Sequence, residues 1–283
     1  MVQHQKIVVI KIGGKGAENR EIVCRIASSV AFLQARGIPS LIVHGGGQAL
    51  SALAERLRMK AEFVAGRRVT DDQLLDLAKM TFVGKVGTDM GAWMQAAGIQ
   101  AVPLSGVSAG LIQVKRRPPQ HVGERLVDYG WVGDVVGCRT DLLRVLMAEG
   151  YVPLVASLGV DEEGQVYNIN ADTVASTLAD QLGAQELVLL TDQRGLLRDL
   201  CDASSLIECL SLDELRSLLK QGVISGGMVP KLEAIASYLE GGQGRKCGES
   251  LGVRTVRLAS WSDLNWLDRQ ESRFQGTTVT ANP

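Results

Sequence analysis

The sequence predicts an α/β protein, a three-layer αβα sandwich with a largely parallel central sheet. Short apolar runs typical of strands buried on both faces recur along the chain, at Lys6–Ile12, Ser40–His44, Tyr151–Ala156 and Glu186–Leu190. Segments with apolar residues at spacings of three and four separate them, as in Asn19–Arg36. Regular alternation of strands and helices favours a parallel sheet with helices on both faces.

The remaining elements follow the same alternation. The pattern predicts further helices at Asp71–Ala97, Thr140–Gly150, Ser211–Lys220 and up to Leu57 and Leu239, and short strands at Ala101–Leu104, Thr255–Ala259 and Gly276–Thr280. Between them lie a hairpin bent at Gly66, a β-ribbon over Val107–Val127 with Arg116–Pro119 at its tip, a turn-rich bridge at Tyr129–Cys138, a hairpin turn at Asp161–Gly164 and a mobile loop at Gly241–Gly252.

Composition narrows the class of protein. The chain has 283 residues, of which 46% are hydrophobic, and a net charge of −1. This is enough for a large core and does not favour binding to nucleic acids or membrane surfaces. No apolar run approaches the ~18 residues of a membrane span, and no signal peptide is evident. Five scattered cysteines without a CxxC pair predict reduced thiols and no zinc site, so we expect a cytoplasmic protein.

The most informative stretch is Gly164–Ser176. Asn168, Asn170 and Asp172 alternate, which places their side chains on one face of an extended segment. A helical pattern begins directly afterwards, with Asp172 as its predicted N-cap. Polar groups that converge where a strand becomes a helix predict a ligand site.

Two glycine-rich segments follow buried strands. Lys11-Ile-Gly-Gly14 places a cation and two glycines at a strand end, which suits a ligand whose oxygens approach the backbone. Gly45-Gly46-Gly47 leads from a strand into a helix, the geometry in which helix N–H groups bind an anion. No Walker A motif occurs in the chain.

Two motifs match serine esterases instead. His44-Gly-Gly-Gly47 is similar to their oxyanion-hole motif, and Gly106-Val-Ser-Ala-Gly110 fits the nucleophile elbow. The only histidine after Ser108 is His121, with no acid between them. Because Ser108 then has no base to activate it, this alternative is disfavoured.

Taken together, the motifs resemble the amino-acid-kinase family, and within it the N-acetylglutamate kinases. The resemblance runs from Lys6 to Thr278. Besides those named above, the motifs that carry it are Gly66-Arg-Arg-Val-Thr-Asp71, Tyr129-Gly-Trp-Val-Gly-Asp134, Leu190-Thr-Asp-Gln-Arg-Gly195, Gly226-Gly-Met-Val-Pro-Lys231 and Gly276-Thr277.

The resemblance implies the amino-acid-kinase fold and transfer of the ATP γ-phosphoryl group to the γ-carboxylate of N-acetyl-L-glutamate, a step of arginine biosynthesis. Lys11 and Lys231 would steady the phosphoryl group, with Asp172 pairing both. Gly13, Gly14 and Gly46 would offer backbone N–H groups. The residues implied to hold the acceptor are Gly46, Gly47, Arg68, Asn168 and Asn170, and those implied to hold ATP are Thr191, Asp192, Gly195, Leu196, Val223, Ile224 and Ser225. Mg²⁺ would be carried by the nucleotide phosphates, with no metal site in the protein.

The resemblance also implies an acceptor-binding and dimerisation lobe at 1–165 and a nucleotide-binding lobe at 166–283. Val107–Gly110 departs from the family pattern, as do Asp268–Gln275 and the absence of a helix before the first strand. We therefore expect an arginine-insensitive homodimer paired partly through Asp71–Ala97. One alternative is a kinase acting on carrier-bound aminoadipate or glutamate in lysine biosynthesis; another is a catalytically silent amino-acid sensor.

Overall fold

The central strand of the molecule, β1 (Val8–Ile12), is buried along its whole length. Its even-numbered residues, such as Ile10, pack against α1 (Arg20–Gln34) and α4 (Thr88–Ala96) on one face of the sheet. Val9 faces the opposite side, toward α6 (Ala171–Leu182) and α8 (Met228–Gly241). Because side chains alternate along a strand, Lys11 belongs to the second face. This computed structural model describes residues 6–199, 202–221, 228–241, 254–261, 274 and 276–281.

The main sheet has eight strands within the described ranges. Their spatial order is β14 (Cys209–Ser211), β16 (Gly276–Thr280), β15 (Thr255–Ser260), β13 (Glu186–Thr191), β1, β2 (Ser40–His44), β10 (Val152–Ala156) and β5 (Ala101–Ser105). Every neighbouring pair is parallel except β15 and β16. The sheet thus has the predicted α/β architecture, and the β1–β13 pairing joins the two halves of the chain.

The other helices cover this sheet or its ends. They are α2 (Gly47–Arg56), α3 (Asp72–Lys79), α5 (Asp141–Ala148) and α7 (Leu212–Lys220). Ser211 caps α7 through a reciprocal pair of bonds with Glu214, as a capping box requires. None of the helices that the structure describes is long and apolar enough to cross a membrane.

A second sheet of four strands stands beside the first. Its order is β12 (Val166–Asn168), β11 (Leu158–Val160), β6 (Ile112–Arg116) and β9 (Gly133–Cys138). Two hairpins adjoin it, one of β3 (Phe63–Val64) with β4 (Arg67–Arg68) and one of β7 (Gln120–Val122) with β8 (Arg125–Val127).

Two sequence predictions in this region are wrong. Arg116–Pro119 is not a ribbon tip, because β6 pairs with β9 and the chain turns back only between β7 and β8. Residues 133–138 form strand β9 rather than a turn-rich bridge. The glycine at 133 suggested a turn, yet an added Cβ there would lie 3.0 Å from Tyr167 Cβ and 3.1 Å from Val114 Cβ, so this glycine instead leaves room for neighbouring side chains in the sheet.

The predicted helix over Asp71–Ala97 is continuous but not uniform. Between α3 and α4 the chain forms a π-helical stretch, Met80–Gly87. Phe82 is buried in this stretch, whereas Met80 is 61% exposed. Apolar periodicity cannot reveal such a change in helical winding, since it shifts the hydrogen bonds by only one residue.

Candidate active site

Two lysines from distant parts of the chain meet at one carboxylate. Lys11 lies at the carboxyl end of β1, Asp172 in the first turn of α6 and Lys231 in the first turn of the described part of α8. Lys11 Nζ is 2.8 Å from Asp172 Oδ1, and Lys231 Nζ is 3.0 Å from Asp172 Oδ2. All three side chains are buried, so the two ammonium groups are held in place by the acid between them.

Burial and charge act in opposite directions on these groups. Burial alone would raise the pKa of Asp172, but the ammonium groups of Lys11 and Lys231 bring that pKa well below its ordinary value. Burial lowers the pKa of Lys11, and the attraction of Asp172 only partly offsets this. Asp172 is therefore ionised at neutral pH, and the three groups carry a net positive charge when both lysines are protonated.

The helix that presents Asp172 begins two residues earlier than predicted. Asn170, not Asp172, is the N-cap of α6, and its Oδ1 accepts a hydrogen bond of 2.7 Å from the backbone N–H of Asp172. Asp172 sits in the first turn instead, where a negative charge interacts favourably with the helix dipole. The cap frees the Asp172 carboxylate to bind the lysines.

One cavity, of about 420 Å³, opens beside this trio. We call it the acceptor cavity, after the ligand that the sequence resemblance implies for these residues. It has the size of a small-molecule site. Of the residues that the sequence singles out, those lining it are Lys11, Gly13, Gly14, Gly46, Gly47, Arg68, Asn168, Asn170 and Asp172. The amino ends of α2 and α6 both reach it, through Gly47 and Ala171. An anion in this cavity would therefore meet cations, unpaired N–H groups and two helix dipoles.

Arg68 is nearly buried in the wall of the acceptor cavity. Its Nη2 donates to the carbonyl of Gly47 at 2.8 Å and to Ser51 Oγ at 2.7 Å, and its guanidinium stacks 4.4 Å above the ring of Phe63. Its Nη1 is buried and makes no hydrogen bond within the described structure. A buried donor without a partner is costly, so this nitrogen is suited to bind a carboxylate of a ligand.

A second cavity, of about 650 Å³, lies on the other side of the trio. We call it the nucleotide cavity, after the ligand that the sequence resemblance implies for Thr191 and Asp192. Lys11, Gly13 and Gly14 line both cavities. Thr191, Asp192 and Lys231 line only the second, together with Lys15, Met228 and Trp261, which the sequence did not indicate. Lys11 therefore lies between the acceptor cavity and the nucleotide cavity.

Two predicted nucleotide residues lie outside both linings as the structure describes them. Gly195 packs against Thr277, where an added Cβ would come within 2.6 Å of its hydroxyl. Leu196 is in the core, and its backbone N–H donates to Thr277 Oγ1 at 2.7 Å. Val223, Ile224 and Ser225 fall outside the described residues.

Sequence reasoning missed several residues of the acceptor cavity. Arg117 lines it, with Nε donating to Asp134 Oδ1 at 2.9 Å. Phe82 reaches it from the π-helical stretch and lies against Gly46. The pairing of β6 with β9 brings Arg117 and Asp134 together across 17 positions, and no local pattern signals that contact.

Comparison with known proteins agrees with the fold. The model of the amino acid kinase family matches residues 6–247, so the chain belongs to this family. It is 43% identical over 244 residues to the acetylglutamate kinase of Heliobacterium modesticaldum, covering 85% of this chain and 83% of that one. It is 38% identical over 246 residues to that of Methanococcoides burtonii, covering 86% and 81%.

Among solved structures, a similar one is the protein smu.665 of Streptococcus mutans UA159. It superposes with a TM-score of 0.75 at 25% identity and covers 98% of this chain and 99% of its own.

Proposed function

We propose that this protein is an acetylglutamate kinase, which transfers the γ-phosphoryl group of ATP to the γ-carboxylate of N-acetyl-L-glutamate. The observation that carries the proposal is the meeting of Lys11 and Lys231 at Asp172, on the border of two cavities. A phosphoryl group in transit between two bound anions requires positive charge at that border.

The acceptor needs no general base. A γ-carboxylate has an ordinary pKa near ~4.3 and is already ionised at neutral pH. The difficulty is to bring this anion up to a triphosphate, and for that the protein must supply charge and alignment. Lys11 and Lys231 provide the charge, while Asp172 holds both ammonium groups where charge develops. Gly14 and Gly46 offer backbone N–H groups to the moving oxygens, whereas the N–H of Gly13, which the family resemblance also implied, donates to the carbonyl of Leu190 at 3.2 Å.

The acceptor cavity fits a dicarboxylate. Its wall includes Arg68 with its unpartnered Nη1, which we assign to the α-carboxylate. Gly46, Gly47, Asn168 and Asn170 complete the acceptor site. Asn168 Nδ2 is oriented by a hydrogen bond of 3.1 Å to Thr70 Oγ1, which leaves its carbonyl oxygen to accept from the N-acetyl amide.

The nucleotide cavity would hold ATP. Lys11, Gly13 and Lys231 lie toward the phosphates, and Thr191 and Asp192 form the side wall. The family resemblance also assigns the stretch 223–225 to this site, whereas Gly195 and Leu196 pack against Thr277 outside its lining. Mg²⁺ would arrive on the phosphates. The oxygen atoms of Thr191 and Asp192 could accept hydrogen bonds from the water molecules that this ion retains.

We place the enzyme in arginine biosynthesis in the cytoplasm and expect a homodimer. Residues 1–165 would form the acceptor-binding lobe and 166–283 the nucleotide-binding lobe. Met80 and Val83 on the π-helical stretch are 61% and 39% exposed, which supports pairing of two copies through this helix.

The decisive experiment traps the acyl phosphate as a hydroxamate. N-acetyl-L-glutamate with Mg-ATP and hydroxylamine should give hydroxamate in proportion to ADP. Carrier-linked aminoadipate serves as the competing acceptor, and Arg68→Met as the variant that should lose affinity for the free acceptor. Turnover of the carrier-linked acceptor alone would refute the proposal.

A further inference from the structure

His44 is fully buried at the carboxyl end of β2, directly before the glycine triplet that lines the acceptor cavity. We propose that His44 is a positioning residue, which holds the Gly45 carbonyl so that the N–H of Gly46 faces the acceptor. The inference rests on the proposed function, in which Gly46 donates to the reacting oxygens. His44 lines neither cavity as described, so it acts through the backbone.

The hydrogen bond to Gly45 fixes the state of the imidazole. His44 Nδ1 lies 2.9 Å from the carbonyl oxygen of Gly45. A carbonyl only accepts hydrogen bonds, so Nδ1 must carry the proton. In the neutral ring Nε2 is then unprotonated, and it is buried without a hydrogen-bond partner among the described residues. The ring thus contributes a single polar contact, directed at the glycine loop.

The geometry of the peptide group carries this contact to the cavity. The described chain has no cis peptide bond, so the Gly45–Gly46 peptide is trans. In a trans peptide the C=O and the following N–H point in opposite directions. With the Gly45 carbonyl turned inward to His44, the N–H of Gly46 points outward, and no described residue accepts from it. Gly46 lines the acceptor cavity, where a ligand oxygen would be its partner.

The surroundings of His44 explain why the contact is rigid. Its main chain lies between β1 and β10, and its carbonyl accepts from Ser157 N–H at 3.0 Å. The ring faces the π-helical stretch, where a Cβ on Gly87 would stand 3.7 Å from Nε2. Phe82 of the same stretch lies against Gly46. The histidine and the phenylalanine therefore both constrain the glycine loop.

Two substitutions separate the hydrogen bond from the packing. His44→Leu keeps the volume and removes the donor, whereas His44→Asn leaves a small cavity but places an amide N–H where Nδ1 was. We expect His44→Leu to lower kcat/KM for N-acetyl-L-glutamate about ten- to a hundredfold, less than the hundred- to thousandfold loss when such a donor is removed altogether, because the Gly46 N–H is displaced but still present. The KM for ATP should change less than twofold. His44→Asn should recover most of the activity while being the less stable of the two.

A purely structural role predicts the opposite order, with activity following stability, and that result would overturn the inference. If His44→Leu does not fold, His44→Gln replaces it, because its amide reaches the position of Nε2 rather than Nδ1 and should be as inactive. Crystal structures of wild type and variant provide a readout that needs no turnover, since the Gly45 carbonyl should rotate when its donor is lost. An unmoved peptide would refute the inference, whereas a wild type unable to phosphorylate the acceptor would refute only the proposed function.

Discussion

At the scale of single residues, the carboxylate of Asp172 pairs with two buried ammonium groups. A buried ammonium group is costly unless it is paired, and a single carboxylate between Lys11 and Lys231 compensates both incompletely. These three groups therefore carry a net positive charge in a buried site of low dielectric constant, where that charge attracts an anion strongly. The same imbalance that costs stability in the empty protein therefore favours binding of phosphate.

Removing one lysine should lower kcat strongly without preventing the protein from folding. In Lys11→Met, Asp172 keeps its pair with Lys231, at 3.0 and 3.1 Å, so the acid is not left alone. We expect kcat to fall by roughly a hundred- to a thousandfold, as when one preorganised charge contact is lost. Lys79→Met, on the exposed surface of α3, is the control. Hydroxamate formation and thermal unfolding test both statements, and near-normal turnover in Lys11→Met would contradict them.

The buried imidazole of His44 should make stability depend on pH. Burial lowers the pKa of His44 to about 4, although the bond to Gly45 acts in the opposite direction. In the unfolded chain the pKa of this imidazole is about 6.5, so between pH 6.5 and pH 4 the unfolded state binds a proton that the folded state does not. The free energy of unfolding is therefore highest above pH 6.5 and falls as the pH drops toward 4. At pH 5 the resulting loss in the free energy of unfolding is about 2 kcal/mol.

Urea unfolding at pH 7.5 and pH 5 measures this effect. His44→Leu should lose about 2 kcal/mol less between these two values than wild type does. Equal losses in both proteins would show that His44 does not contribute to the pH dependence.

At the scale of secondary structure, the cap of α6 determines the position of Asp172, the carboxylate that pairs with both lysines. Asn170 accepts from the N–H of Asp172 and ends the extended segment that follows β12. The cap and the acid are two residues apart, so a change in one displaces the other. At the start of α2 the N-cap Gly46 has no side chain to cap the helix, and Glu18 accepts from the N–H of Ala49 at 2.8 Å instead.

Asn170→Ala should weaken both stability and catalysis. Loss of an N-cap side chain costs about 1 kcal/mol in the free energy of unfolding. Because the first turn of α6 then frays, Asp172 holds the lysines less firmly and kcat should fall several-fold. Asn170→Ser retains an oxygen acceptor and is the matched control, expected to lose less than half as much stability. If serine and alanine variants have equal stability and equal kcat, the cap does not position Asp172.

Local patterns predicted most elements, and the failures have a common cause. The buried strands β2 and β10 are continuous apolar runs, which the sequence displays directly. Strand β9 was missed because its glycines make room for neighbouring side chains rather than for turns. The lysine pair was predictable only from a family resemblance, and the roles of Arg117 and Phe82 depend on contacts between segments far apart in the chain.

At the scale of the whole molecule, the exposed part of the long helix is the proposed contact between two copies. Met80→Glu should convert the dimer to a monomer, because a carboxylate would be desolvated at the interface. Val145→Glu on α5 is a control at equal exposure, 61% for each side chain. Light scattering after gel filtration distinguishes the two states. A Met80→Glu protein of unchanged mass, or a monomeric wild type, would exclude this interface.

The place of β1 in the sheet also affects how the protein is synthesised. Ile7 N–H donates to the side chain of Gln185, 178 positions later, just where the pairing of β1 with β13 begins. Ribosomes add about 5–20 residues per second, so the nascent chain exposes one edge of this buried strand for roughly ten to forty seconds. An unpaired edge of this kind invites aggregation. Translation that stalls before Glu186 should therefore yield an insoluble fragment, even though that fragment already contains every residue that lines the acceptor cavity, from Lys11 to Asp172.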